Sequence, residues 1–171
     1  MRLYQKLLLL LLLFGPLTLA AQQSYPEYDT SAGQLQDIQR LVDATLPDIE
    51  AMLKQSGSFR PFASVILAND SIAEITVSDP SKTGYTPDEL KEELSIDALK
   101  GVYKVVAVFY ADRQADPETG KDTQVIAVFA EHTDDDFAYL FYYPFSVNAR
   151  KEVIFGDSFG DFAPQVMFRA D

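Results

Sequence analysis

Two runs of β-forming residues, 123–132 and 137–145, are separated by only Thr133, Asp134, Asp135 and Asp136. So short a connection lets consecutive strands pair only antiparallel, because a parallel pair needs a crossover of a dozen or more residues. In the second run Phe137, Tyr139, Phe141, Tyr143 and Phe145 fall at alternate positions. Side chains of a strand alternate between its faces, so one face is wholly aromatic. Such a sheet must be covered on one or both faces by another layer.

Helices supply that layer. Leu35, Ile38, Leu41, Val42, Ile49, Met52 and Leu53 recur at spacings of three and four and predict a helix from Ser31, its N-cap, to a stop at Gly57. Pro47 interrupts this segment, but the apolar stripe continues in phase across it, which favours one kinked helix over two. A second helix opens at Thr86 with Pro87 in the first helical position and Glu89 completing a T-x-x-E capping box, and it ends at Gly101. Between the helices, runs 62–67 and 72–77 flank Ala68, Asn69, Asp70 and Ser71 and predict a hairpin. Run 102–111 is apolar on both faces, which places it centrally in a sheet covered on both sides. Residues 112–122 read as a polar excursion, and 152–155 as a short last strand. The tail keeps Phe159, Phe162, Val166, Met167 and Phe168, so it should pack rather than hang free.

The expected fold is therefore α+β, with two main helices on an antiparallel sheet of five strands, or six with the short run. The element order α-β-β-α-β-β-β, with or without a final β, resembles that of profilin-like and roadblock-like domains. That likeness of topology carries no function.

At the N-terminus, Arg2 and Lys6 precede seven leucines, Leu7 to Leu13, and Thr18-Leu19-Ala20 closes the segment. A basic start, an apolar stretch and small residues at a cleavage point are the order of a secretory signal. Cleavage is expected after Ala20, with Ala21 as the alternative. The apolar stretch is broken by Gly15-Pro16 and is shorter than the roughly 20 residues of a membrane span. Residues 1–20 are thus read as a signal peptide, 21–30 as a polar lead-in and 31–171 as a single domain. No membrane insertion is expected after cleavage, and the compartment is periplasmic or extracellular.

The chain carries 14 Lys+Arg against 26 Asp+Glu, a formal net charge of −12, and loses two more cations with the signal. Nucleic acid and anionic headgroups would repel such a body. Solubility explains the charge more simply than a basic partner, though it is compatible with one. The absence of cysteine removes disulfides, thiolate metal sites and a cysteine nucleophile. Stability must come from the core, which 12 Phe and 9 Tyr can help to build.

No motif carries catalysis. Gly156-Asp157-Ser158-Phe159-Gly160 matches G-x-S-x-G, but Pro164 interrupts the segment after it and the sole histidine, His132, precedes the serine. A nucleophile elbow needs a helix behind the serine and the order Ser, acid, His. The match is read as a glycine-rich turn. Glu131 and His132 would point to opposite faces of one strand and could not chelate together without a bulge. The aspartates at 134, 135 and 136 could attract calcium, yet they lack a glycine-bearing loop of fixed ligand spacing, and aspartate is a common turn residue. Asp116, Glu118 and Asp122 miss the calcium-loop spacing as well. Paired carboxylates for glycosidic chemistry cannot be located from spacing alone. No cofactor and no metal are expected.

Phe59-Arg60-Pro61-Phe62 enters the first strand, Glu131-His132 ends a later one, and Tyr143-Pro144-Phe145 closes the next. This F-x-P-F, E-H and Y-P-F pattern, spread over 57–155, resembles short exported bacterial proteins of unknown function. That resemblance implies no activity. The simpler reading makes the phenylalanines core aromatics and Arg60 a surface cation. Read for function, Phe59, Arg60, Phe62, His132, Tyr139 and Tyr143 form the candidate binding surface. The expectation is an exported, non-enzymatic domain that binds a protein or small ligand. The alternatives are a metal- or carboxylate-dependent hydrolase and an acidic inhibitor or immunity-type protein.

Overall fold

The computed structural model describes residues 32–75 and 84–169. Helix α1 spans Ala32–Ser56 and runs unbroken through Pro47. The N-cap expected at Ser31 and the lead-in before it lie outside the described residues. Ile38, Leu41, Val42, Ile49 and Leu53 are fully buried, while Leu35, at the edge of the predicted stripe, is exposed. Gly57 stops the helix at φ 76°, where only glycine avoids a Cβ penalty, and its N–H returns to the Leu53 carbonyl at 2.8 Å.

Strands β1 (Phe62–Leu67) and β2 (Ile72–Ile75) form the first hairpin. The predicted end of β2, at 76 and 77, lies outside the described residues. Helix α2 covers Pro87–Ala98 and begins as expected. The Thr86 hydroxyl accepts the Glu89 N–H at 3.3 Å, and the Glu89 carboxylate accepts the Thr86 N–H at 2.8 Å. It buries Leu90, Leu94 and Ala98. Its last turn closes through Leu99, short of Gly101, which takes φ 73° in the turn beyond.

The remaining strands are β3 (Tyr103–Ala115), β4 (Asp122–His132), β5 (Phe137–Val147), β6 (Val153–Phe155) and β7 (Phe159–Pro164). The sheet has seven strands in the order β2-β1-β3-β4-β5-β6, with β7 also paired to β5, and every pairing is antiparallel. The α+β class is as expected. Strand β3 is central, and its two faces feed two cores. Val105, Ala107 and Phe109 pack towards α1 with Ile126, Val128, Tyr139 and Phe145. Val106 and Val108 pack towards α2 with Ala63, Val65, Phe129 and Met167. The aromatic face of β5 thus joins the α1 layer.

Two expectations are corrected. Residues 112–122 are not an excursion: β3 and β4 stay paired out to Ala115 and Asp122. No residue of 110–115 or 122–124 is fully buried, so burial imposes no apolar pattern there, and the local register holds this end with Arg113 on Asp122 at 2.7 Å. Asp116 accepts the Glu118 and Thr119 N–H groups and the Thr119 hydroxyl, closing the turn itself. The second correction is β7, whose first two residues, Phe159 and Gly160, the G-x-S-x-G reading placed in a turn. Gly160 pairs with Phe141, and a Cβ there would lie 2.7 Å from the Leu140 carbonyl oxygen. Glycine is required by this close backbone approach. Strands β6 and β7 divide the far side of β5 between them. Pro144, which has no N–H, falls near the break, and its carbonyl accepts the Gly156 N–H.

Candidate functional site at the His132 end of the sheet

The six candidate residues do not share one surface. The register places Phe62 beside Phe109, which pairs with Val128 and through it with Phe141. His132 sits beside Val105, and Tyr139 beside Ala130, at the other end of the strands. Phe59 and Phe62 meet edge to face at 6.2 Å, and Phe62 stacks on Phe109 at 5.4 Å, both packed against the α1 core. Arg60 beside them is exposed. Tyr143 is half-buried and also lies towards that end; burial, then the Asp43 charge, push its hydroxyl pKa up. Only His132 and Tyr139 stand together at a polar end of the sheet.

There, strand alternation sends Glu131 and His132 to opposite faces, as expected. On the α1 face His132 is only 3% exposed. Its Nδ1 accepts the Asp134 N–H at 3.0 Å, and its Nε2 lies 3.6 Å from Asp37 Oδ2. Asp37 and Arg40 come from α1, Asp70 from the β1–β2 turn and Lys104 from the start of β3. Lys104 Nζ holds Asp37 at 2.8 Å and Asp70 at 2.9 Å, and Arg40 reaches Asp37 at 3.2 Å. Burial pushes the Asp37 carboxyl up, but the Lys104 bond and charge, with Arg40 and His132, outweigh it and hold it below the usual aspartate value. The same two bonds raise Lys104.

On the opposite face Glu131 is fully buried. Its carboxylate accepts three consecutive backbone N–H groups, from Val166 at 2.7 Å, Met167 at 3.0 Å and Phe168 at 3.1 Å. Burial pushes this carboxyl up from its ordinary value, against the pull of those N–H groups and of the Lys91 charge. Gln165 adds a bond to the His132 carbonyl at 2.8 Å. The tail is thereby pinned, with Met167 fully buried, as its apolar residues promised.

The turn at 133–136 is shaped by its neighbours. Thr133 N–H bonds to the Lys104 carbonyl, Asp135 N–H to the His132 carbonyl, and Gln34 Nε2 to the Asp134 carbonyl at 3.0 Å. The Tyr139 hydroxyl donates to Asp135 at 2.8 Å; burial, then that bond and charge, raise its pKa. Beside the turn an open groove of about 610 Å³ is lined by Asp134, Asp135, Asp136, Phe137, Phe162, Ala163, Pro164 and Arg169. Phe137 and Phe162 stand perpendicular at 4.9 Å and form its aromatic corner.

Among the described residues no three carboxylate or imidazole groups converge where a metal ion could be held. Ser158 is exposed between β6 and β7, with a strand after it rather than a helix. No family model, curated protein or solved structure matches the chain. Sequence reasoning missed Glu131 as an anchor, and missed Phe162 and Arg169 as groove residues. The signal for Glu131 was present: a lone acid after six apolar residues, Val125 to Ala130, must be buried and satisfied. Nothing comparable marked Phe162 or Arg169, because β7 was not recognised.

Proposed function

We propose that the protein is an exported, non-enzymatic binding domain whose groove at the His132 end takes a basic segment of a protein partner. The observation that carries this reading is the pairing, in one groove, of the perpendicular Phe137 and Phe162 rings with Asp134 and Asp136. Aromatic faces and carboxylates together suit a side chain with an apolar stem and a cationic head, through ring–cation attraction and ion pairing. Arg169 on the rim supplies one cation of its own, so the acidic excess there is modest. The net charge of −12 works in the same direction at longer range. Export rests on the leucine run and Thr18-Leu19-Ala20. The mature protein from its native host should begin at Ala21 or Gln22 by intact mass, and retention of residues 1–14 would overturn that part.

The groove reading is tested with a synthetic peptide of alternating lysine and phenylalanine. It should shift the amide signals of residues 134–137 and 162–164, and bind more weakly at about 0.5 M salt because exposed charges are screened. The double variant Asp134→Asn, Asp136→Asn changes exposed positions and should weaken binding about tenfold, the weight of one or two charge contacts. Equal binding of a glutamate–phenylalanine peptide, or shifts confined to the Phe62 end, would defeat the assignment.

A further inference from the structure

We propose that His132 couples the shape of this groove to proton concentration; the functional meaning rests on the groove being the binding site, while the coupling itself does not. The imidazole is 3% exposed, and both its nitrogens have defined neighbours. Nδ1 accepts the Asp134 N–H at 3.0 Å. A ring nitrogen that accepts a hydrogen bond carries no proton, so this arrangement holds the neutral tautomer with its hydrogen on Nε2. Protonation places a second hydrogen on Nδ1, directly against the Asp134 N–H. Donor then faces donor, and the bond that shapes the turn is lost.

Charged groups reach the ring from α1, β3 and two turns. From α1, Asp37 Oδ2 lies 3.6 Å from Nε2, with Arg40 behind it. From β3 comes Lys104, bonded to both Asp37 and Asp70 of the β1–β2 turn. From the 133–136 turn come Asp134 and Asp135, the latter held by the Tyr139 hydroxyl. Glu131 lies on the other face of β4, under the tail. A protonated ring gains attraction to Asp37 while it expels the Asp134 amide. Acid therefore exchanges a bond to the groove wall for a closer hold on α1.

The rest of the turn keeps its anchors. Thr133 remains on Lys104, Asp135 on the His132 carbonyl, and the Asp134 carbonyl on Gln34. The Asp134 amide is thus where the wall yields, and its carboxylate, which lines the groove, moves with it.

To test the coupling, the His132 ring and the Asp134 amide are monitored by NMR from about pH 8 to about pH 5.5, the span over which an imidazole titrates. As the ring protonates, exchange of the Asp134 amide, corrected for its intrinsic pH dependence, should rise about tenfold, the weight of one lost hydrogen bond. Affinity for the lysine–phenylalanine peptide should fall by a similar factor. His132→Asn supplies a side-chain oxygen that can accept the same N–H two residues on, as in an Asx turn, and it does not titrate. That variant should hold the turn and lose the pH response. A protonating ring with an unchanged Asp134 amide, a ring that stays neutral to the acid end of the series, or an unaltered response in His132→Asn would each overturn the coupling. Absence of peptide binding at every pH, with the Asp134 response intact, would instead defeat the groove reading and leave the coupling standing.

Discussion

Glu131 and His132 are neighbours on β4, yet the two faces of the sheet satisfy them in different ways. Glu131 is fully buried and holds three successive backbone N–H groups of the tail with one carboxylate. His132 is almost as buried but belongs to a set of side chains from α1, β3 and two turns, several of them half in water. A buried carboxyl bound to main chain is an anchor, since without it the buried Met167 N–H loses its acceptor. A partly solvated network is adjustable, because water and neighbouring charges replace what one member loses. The difference places rigidity on the α2 face and responsiveness on the α1 face.

The sharpest way to break this contrast is Glu131→Ala. It leaves a cavity and three N–H groups without their acceptor, and should cost about 3–5 kcal/mol in urea unfolding. Faster amide exchange at residues 165–168 should accompany it. A loss below about 1 kcal/mol, the level of a surface change, would show that Met167 packing and the Gln165 bond hold the tail without the carboxylate.

Phe141→Ala probes the α1 face, where load is shared among aromatic residues. The ring is half-buried and stacks on Tyr139 at 5.9 Å. We expect a loss of about 2 kcal/mol, below the roughly 3–5 kcal/mol of a fully buried phenylalanine. A loss as large as that of Glu131→Ala would show that this aromatic face is not shared load but a second anchor of the sheet.

The smallest effect should come from Asp37→Asn, under about 1 kcal/mol at neutral pH as for other partly solvated ion pairs. Its signature is the acid limb. With its folded value depressed below 3.8, Asp37 contributes stability that is present above that pH and lost as pH falls through the folded value. The variant should therefore flatten the stability curve below about pH 4, the ordinary range of an aspartate. An unchanged acid limb would assign acid sensitivity to other carboxylates.

Much of this fold was legible because its signals are local. The capping box at Thr86 needs only Thr86 to Glu89 to form, and it formed as read. The stripe of α1 and the doubly apolar β3 declare how many faces each element buries. Strand β7 was illegible for a physical reason: Gly160 and Pro164 lower strand propensity, and what makes 159–164 a strand is the open edge of β5, supplied by residues well upstream in the chain. The far end of the β3–β4 hairpin was missed for a related reason, since pairing between residues that are not buried imposes no apolar pattern.

Sequence by itself determined the α+β class, the two-sided burial of β3 and the opposite directions of Glu131 and His132. These properties arise from the periods of helix and strand, which are set by adjacent residues. Tertiary structure alone decided which candidates share a site. It separated Phe59, Arg60, Phe62 and Tyr143 from His132 and Tyr139, because strand register sets position along the sheet. It also brought Asp37, Asp70, Lys104 and His132 together and closed the groove with Phe162. Those residues are far apart in the chain, and only packing of the helix and tail against the sheet gives them a common surface.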